Sequence, residues 1–231
     1  MRAGDTFIEL VRQAWLYALS RRSEFAGALG DHLLLVGIAL GVSVLLCVPL
    51  GVWTSRAGSA SAPVMGLVTG LRSLPSLAVL FVLIPYLGLS LRSATLALTL
   101  LAMPPILINT DAAFRTLDAA VLEAARAMGM TRRQVLLRVE APLALPVVLA
   151  GVRTAAVEVL SSAVLAAFVG SGGLGIYITR GFALFDYSIL LVGAVPIAAL
   201  TLFAEVALTG LARAAEPRGR RTVGRPAVKG V

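Results

Sequence analysis

The sequence predicts an all-α polytopic membrane protein, and three observations carry that expectation. The chain is 58% hydrophobic and only 14% charged over 231 residues, and its mean hydropathy of +0.92 lies far from that of soluble domains. Five stretches, near residues 33–54, 64–87, 93–114, 147–169 and 188–211, are apolar for the roughly 20 residues that a helix needs to cross a bilayer. The basic residues are sorted by loop. The connection after span three holds Arg115, Arg126, Arg132, Arg133 and Arg138, and the C-terminal segment holds Arg213, Arg218, Arg220, Arg221, Arg225 and Lys229. The connections after spans two and four hold only Arg92 and Arg180.

Because cytoplasmic loops collect Lys and Arg, this sorting puts the 115–146 connection and the C-terminus in the cytoplasm. Five spans then leave the N-terminus outside, where four arginines are balanced by Asp5, Glu9, Glu24 and Asp31. Three parts are expected. Residues 1–30 form an interfacial amphipathic segment, with Phe7, Leu10, Val11, Ala14 and Leu16 set among charges. Residues 31–212 form the transmembrane domain, and residues 213–231 a basic tail whose Pro and Gly content suits disorder. The N-terminal stretch lacks the clean apolar core of a cleavable signal peptide.

Composition also excludes function classes. One cysteine (Cys47, in an apolar run) and one histidine leave no disulfide framework and no metal-ligand spacing. The net charge of +8 comes without an aromatic-basic platform, which argues against nucleic-acid binding. No nucleophile–base pair supports an intramembrane enzyme, and His32 reads as an interfacial anchor. Pro75, Pro104, Pro105 and Pro196 are expected to break their spans and supply bends.

The 115–146 insert carries the densest local information. Asp118 is placed to cap a helix, with Leu117 and Leu122 at staple spacing. Gly129 stands where that helix needs a left-handed residue to close it. Thr131 with Gln134 spells a capping box for a second helix, which Pro142 and Pro146 are expected to break before span four. The first helix presents Ala120, Ala124, Ala125, Ala127 and Met128, with Glu123 at its edge. So small a surface admits the close approach of another protein.

The segment "EAARAMGMTRRQVLLRVEAPLALP" resembles the EAA motif of permease subunits of type I ABC importers. Glu123, Ala124, Ala125, Gly129 and Pro142 fall on the family pattern, while Val139 replaces the usual Ile and Ala141 the usual Leu. The resemblance spans about residues 31–211. It implies a coupling helix, here around Glu123, Ala124, Ala125, Met128 and Gly129, that docks on the ATPase. It also implies a second permease, identical or homologous, and a periplasmic or lipid-anchored substrate-binding protein, with this chain in the bacterial inner membrane. The motif G-x-x-x-x-G-K-[ST] is absent, so no cofactor is expected in this chain; ATP and magnesium fall to the partner ATPase.

"LRSLPSLAVLFVLIPYLGL", "GVRTAAVEVLSSAVLAAFVGSGGLG" and "LLVGAVPIAALTLFAEVAL" resemble the osmoprotectant branch, which imports glycine betaine, choline and carnitine. The methionine-importer branch shares the five-span layout and the Arg72–Pro75 element and is the nearest alternative. From another class, a membrane scaffold without its own path is the rival. "GSGGLG", with Gly170, Gly172, Gly173 and Gly175, has dinucleotide-type spacing but no strand before it. It reads instead as a flexible outer loop, which the resemblance turns toward the binding protein.

Two charges fall near mid-depth. Arg72 is about nine residues into span two and Glu158 about twelve into span four, at 1.5 Å per residue. Ionisable groups at that depth are costly and face partners or a pathway. Either they pair (Arg72–Glu158 or Arg153–Glu158) to stabilise packing, or they line a route with Ser73, Pro75, Ser161 and Ser162. Tyr86, Phe81 and Phe168 are the aromatic candidates for contact with a cation.

Overall fold

The structure, a computed structural model, describes residues 3–216, with side chains from Ile8 onward. Its helices are α1 (Ala3–Ser20), α2 (Arg22–Arg56), α3 (Ala62–Leu71), α4 (Ser76–Leu87), α5 (Leu91–Arg115), α6 (Ala119–Ala127), α7 (Arg132–Val135), α8 (Ala141–Ser162), α9 (Gly175–Ala183) and α10 (Tyr187–Ala215). Four helical stretches are long and apolar enough to cross a bilayer: α2, α5, the run from α7 through α8 to Val169, and α10. The α3–α4 pair, from Gly58 to Leu87, makes a fifth as one broken span.

The centre of the bundle is α5, which packs on α2, α4 and α8. Its Ala94, Ala97, Ala102, Ile106 and Leu107 are buried. Lipid-facing helices have no hydrophobic incentive to associate, so they rely on close backbone approach at small residues. A Cβ on Gly51 would lie 2.6 Å from the Thr110 Cβ, and one on Gly151 would lie 2.7 Å from the Pro105 carbonyl oxygen. A second core joins α1, α9, α10 and the start of α2 through Ala14, Ala28, Leu174, Tyr177, Ile189 and Val192. The perimeter is apolar and open, with Leu45, Leu202, Phe203 and Val206 all exposed, as a lipid-facing surface requires.

Four sequence expectations change. The span predicted over 64–87 is not continuous: it breaks between Leu71 and Ser76 and bends by 100°. Pro75 has no N–H to donate and disfavours helix at Leu74; it stands in extended backbone (ψ 132°) at the start of α4. Pro104 and Pro105 in α5 and Pro196 in α10, by contrast, sit inside continuous helices. Pro142 does not break the chain either. A π turn over Leu136–Glu140 leads from α7 into α8, and Pro142 sits in the first turn of α8. Lastly, the N-terminal segment expected over 1–30 is divided, since residues 22–30 already belong to α2. α1 packs on α10 with Ala14 buried, while Trp15, Leu16 and Leu19 stay exposed. Of the basic tail, residues 217–231 lie outside the described residues.

Candidate coupling helix and mid-membrane charges

The insert folds through the local signals its sequence carries. The Asp118 carboxylate accepts from the Ala120 N–H at 2.9 Å and opens α6. At the other end Gly129 has φ +82°. Its N–H donates to the Arg126 carbonyl at 2.9 Å, and the Met130 N–H reaches back to the Ala125 carbonyl at 3.3 Å. That pair of bonds is the Schellman closure that satisfies the last carbonyls of a helix. Thr131 and Gln134 then form both halves of a capping box for α7. α6 thus has fixed ends although only nine residues long.

Its two faces differ. Ala125 is buried (2% exposed) and faces the bundle, so it holds α6 in place rather than presenting itself to a partner. Glu123, Ala124, Ala127, Met128 and Gly129 are exposed. Met128, at 76%, is more exposed than the other open large apolar side chain of this helix, Val121.

Two arginine clasps, which sequence reasoning missed, tie the bundle ends above this insert. Arg115 grips Asp111 with both its Nε and a terminal nitrogen (2.8 and 3.0 Å). It also donates to the Thr54 carbonyl at 2.9 Å and the Ser61 hydroxyl at 3.1 Å, joining α5 to α2 and to the turn before α3. Arg56, at the end of α2, pairs with Glu140 in the π turn. The Asp111/Arg115 spacing of i, i+4 was a readable signal. Arg56 and Glu140 are too far apart in sequence to announce one another.

The mid-span charges do not form the predicted pairs. Arg153 pairs with Glu205 of α10 at 3.5 Å and donates to the Thr209 hydroxyl at 3.0 Å. Arg72 and Glu158 share no salt bridge; each is exposed, and they interact only through space. Arg72, Ser73 and Pro75 make up the elbow between α3 and α4. α3 is ten residues long, so it can carry the elbow at most about 15 Å from the end that carries α6. On α8, Gly151 lies level with Pro105 and Asn109, and Glu158 stands two turns beyond. Ser162 and the first residue of α4, Ser76, line one small cavity, which brings the elbow and α8 together. Ser161 is exposed, its hydroxyl donating to the Val157 carbonyl at 2.9 Å.

The glycine segment is packed rather than flexible. Gly170, Gly172 and Gly173 have φ of +68°, +77° and +79°. Gly172 lies against Asp31 and Gly173 against His32. Gly173 and Gly175 are buried and present no surface; only Gly170 is exposed. His32 is correspondingly not an interfacial anchor: it is fully buried.

A bundle with a broken span and a capped helical insert at one end defines a multi-span membrane component of helical type. Residues 47–221 match the family described as "Binding-protein-dependent transport system inner membrane component", and the chain belongs to it. It is 37% identical to the carnitine transport permease protein OpuCB of Listeria monocytogenes over 191 residues, 83% of this chain and 88% of that one. It is 37% identical to the choline transport system permease protein OpuBB of Bacillus subtilis, covering 82% and 87% of the two chains. To the osmoprotectant import permease protein OsmW of Salmonella typhimurium it is 35% identical, covering 89% and 98%. In fold it is similar to a chain of the inward-facing MetNI methionine ABC transporter (TM-score 0.74, 22% identity, covering 84% of this chain and 97% of that one). At that identity the likeness speaks to architecture alone.

Proposed function

We propose that this chain is the membrane-spanning subunit of an ATP-driven importer that takes a small quaternary amine, such as glycine betaine, choline or carnitine, from a binding protein. The similarity to permeases named for these solutes over more than four-fifths of the chain carries the reading. In it the chain works with a second permease, ATPase subunits that bind ATP and magnesium, and an external binding protein. The insert and the C-terminus face the bacterial cytoplasm.

The open face of α6, with Glu123, Ala124, Met128 and Gly129, is the surface on which the ATPase pulls. The clasps of Arg115 and Arg56 pass that displacement to α5, α2 and α8. The elbow at Arg72, Ser73 and Pro75, opposite Glu158, Ser161 and Ser162, is the gate region. Glu158 supplies a carboxylate suited to a cation. The glycine turn acts from beneath the outer surface, holding α2 and α9 in register under the docked binding protein. Uptake of radiolabelled betaine, choline or carnitine, measured with and without this chain beside its ATPase, tests the assignment. Uptake blocked by excess methionine but indifferent to the quaternary amines would reject it in favour of the methionine branch.

A further inference from the structure

Between α6 and the ends of the membrane helices lies a cavity of about 540 Å³ whose lining includes Arg56, Arg126, Arg132, Glu140, Phe114 and Leu122. Its volume is in the range of small-ligand sites. Glu140 is already engaged by Arg56. Among the described residues the side chains of Arg126 and Arg132 make no ion pair and no hydrogen bond, so two guanidinium forks stand at the cavity without an anion. Guanidinium presents planar paired donors that match phosphate oxygens, and it sheds water more readily than ammonium does. Phe114 and Leu122 add an apolar wall that a bare inorganic ion would not use.

The position of the cavity narrows the class further. Trp53, one turn before Arg56 on α2, is exposed at 49%. Tryptophan at a span end marks the headgroup level of a bilayer, which sets Arg56 and the cavity it lines near the level of lipid phosphates. We propose that Arg126 and Arg132, with Arg56 behind them, hold a net-anionic phosphate group, supplied by a phospholipid headgroup or by phosphate in solution. A ligand there wedges between α6 and the ends of α2 and α5. It would therefore set how stiffly α6 is joined to the bundle.

The test uses the permease purified together with its ATPase, delipidated, and titrated separately with phosphatidylglycerol, phosphatidylcholine and inorganic phosphate, with adducts counted by native mass spectrometry. Phosphatidylglycerol is expected to bind ahead of phosphatidylcholine. Each of Arg126→Gln and Arg132→Gln should weaken it about fivefold, the worth of one arginine near a charged surface. Arg133→Gln and Arg138→Gln, on the same insert but away from the cavity, should leave it unchanged. Arg126→Lys, which keeps charge but loses the fork, separates recognition from bulk attraction and should fall between. Loss confined to the inorganic phosphate titration would assign the site to soluble phosphate. Equal losses in all four glutamine variants, or no preference for either net-anionic ligand over zwitterionic phosphatidylcholine in the wild type, would overturn the proposal. An acidic side chain of the ATPase filling the cavity would give that last result.

Discussion

Two glycine-closed turns, one at each end of the bundle, use the same backbone conformation for opposite purposes. Gly129 (φ +82°) has nothing within 4 Å of where a Cβ would stand, whereas Gly173 (φ +79°) lies against His32, with the ring Nδ1 3.4 Å from that position. The first ends a helix in open space and so leaves the end of α6 projecting. The second folds a turn into the packed junction of α2 and α9. A left-handed glycine alone therefore says only that the chain must turn. What surrounds it decides whether the turn presents a surface or seals one.

That contrast orders the expected effects of breaking each turn. Gly173→Val should be the more damaging. It adds left-handed strain of about 1–2 kcal/mol to overpacking of a buried neighbour, typically about 1–3 kcal/mol. The checks are folded yield and melting temperature in detergent, with substrate-stimulated ATP hydrolysis per folded molecule preserved. Gly129→Val should cost only the strain, about 1–2 kcal/mol and confined to α6. The protein should insert and fold, yet lose uptake together with substrate-stimulated ATP hydrolysis. The reverse pattern, with poor folding at 129 and lost coupling at 173, would break the comparison.

The smallest expected effect is at the elbow. Because Arg72 and Glu158 share no salt bridge, Arg72→Gln and Glu158→Gln should combine in stability with an interaction of less than about 0.5 kcal/mol. Transport should nonetheless fall in Glu158→Gln while the protein folds normally. A buried pair would behave differently, since removing one partner costs about 3–5 kcal/mol. Recovery of folded yield in the double variant would therefore reinstate the pair.

What the sequence made legible follows the range of the interactions. Asp118, Gly129, Thr131 and Gln134 act on neighbours two to four residues away, and the structure shows each in the role its spacing implied. The spans followed from composition. The elbow was half legible: Pro75 signalled a bend, but nothing local distinguished it from Pro104, Pro105 and Pro196, which helices of the bundle accommodate. The clasp of Arg56 on Glu140, the pairing of Arg153 with Glu205 and the burial of His32 under Gly173 are long-range facts. Each depends on which helices meet, which no single segment encodes. Burial also divided the EAA segment in a way its motif does not, setting Ala125 against the bundle and Met128 toward solvent.

That division gives the most direct test of the claim that α6 is the handle on which the ATPase pulls. Met128→Cys and Ala125→Cys would be made separately in the assembled transporter, where the native Cys47 is buried, and treated with a short thiol–amine crosslinker. The cysteine at 128 should join to the ATPase subunit and the one at 125 should stay unlinked. The yield at 128 should also change when ATP is bound. No crosslink from 128 to the ATPase, with Met128→Cys still transporting, would contradict the claim.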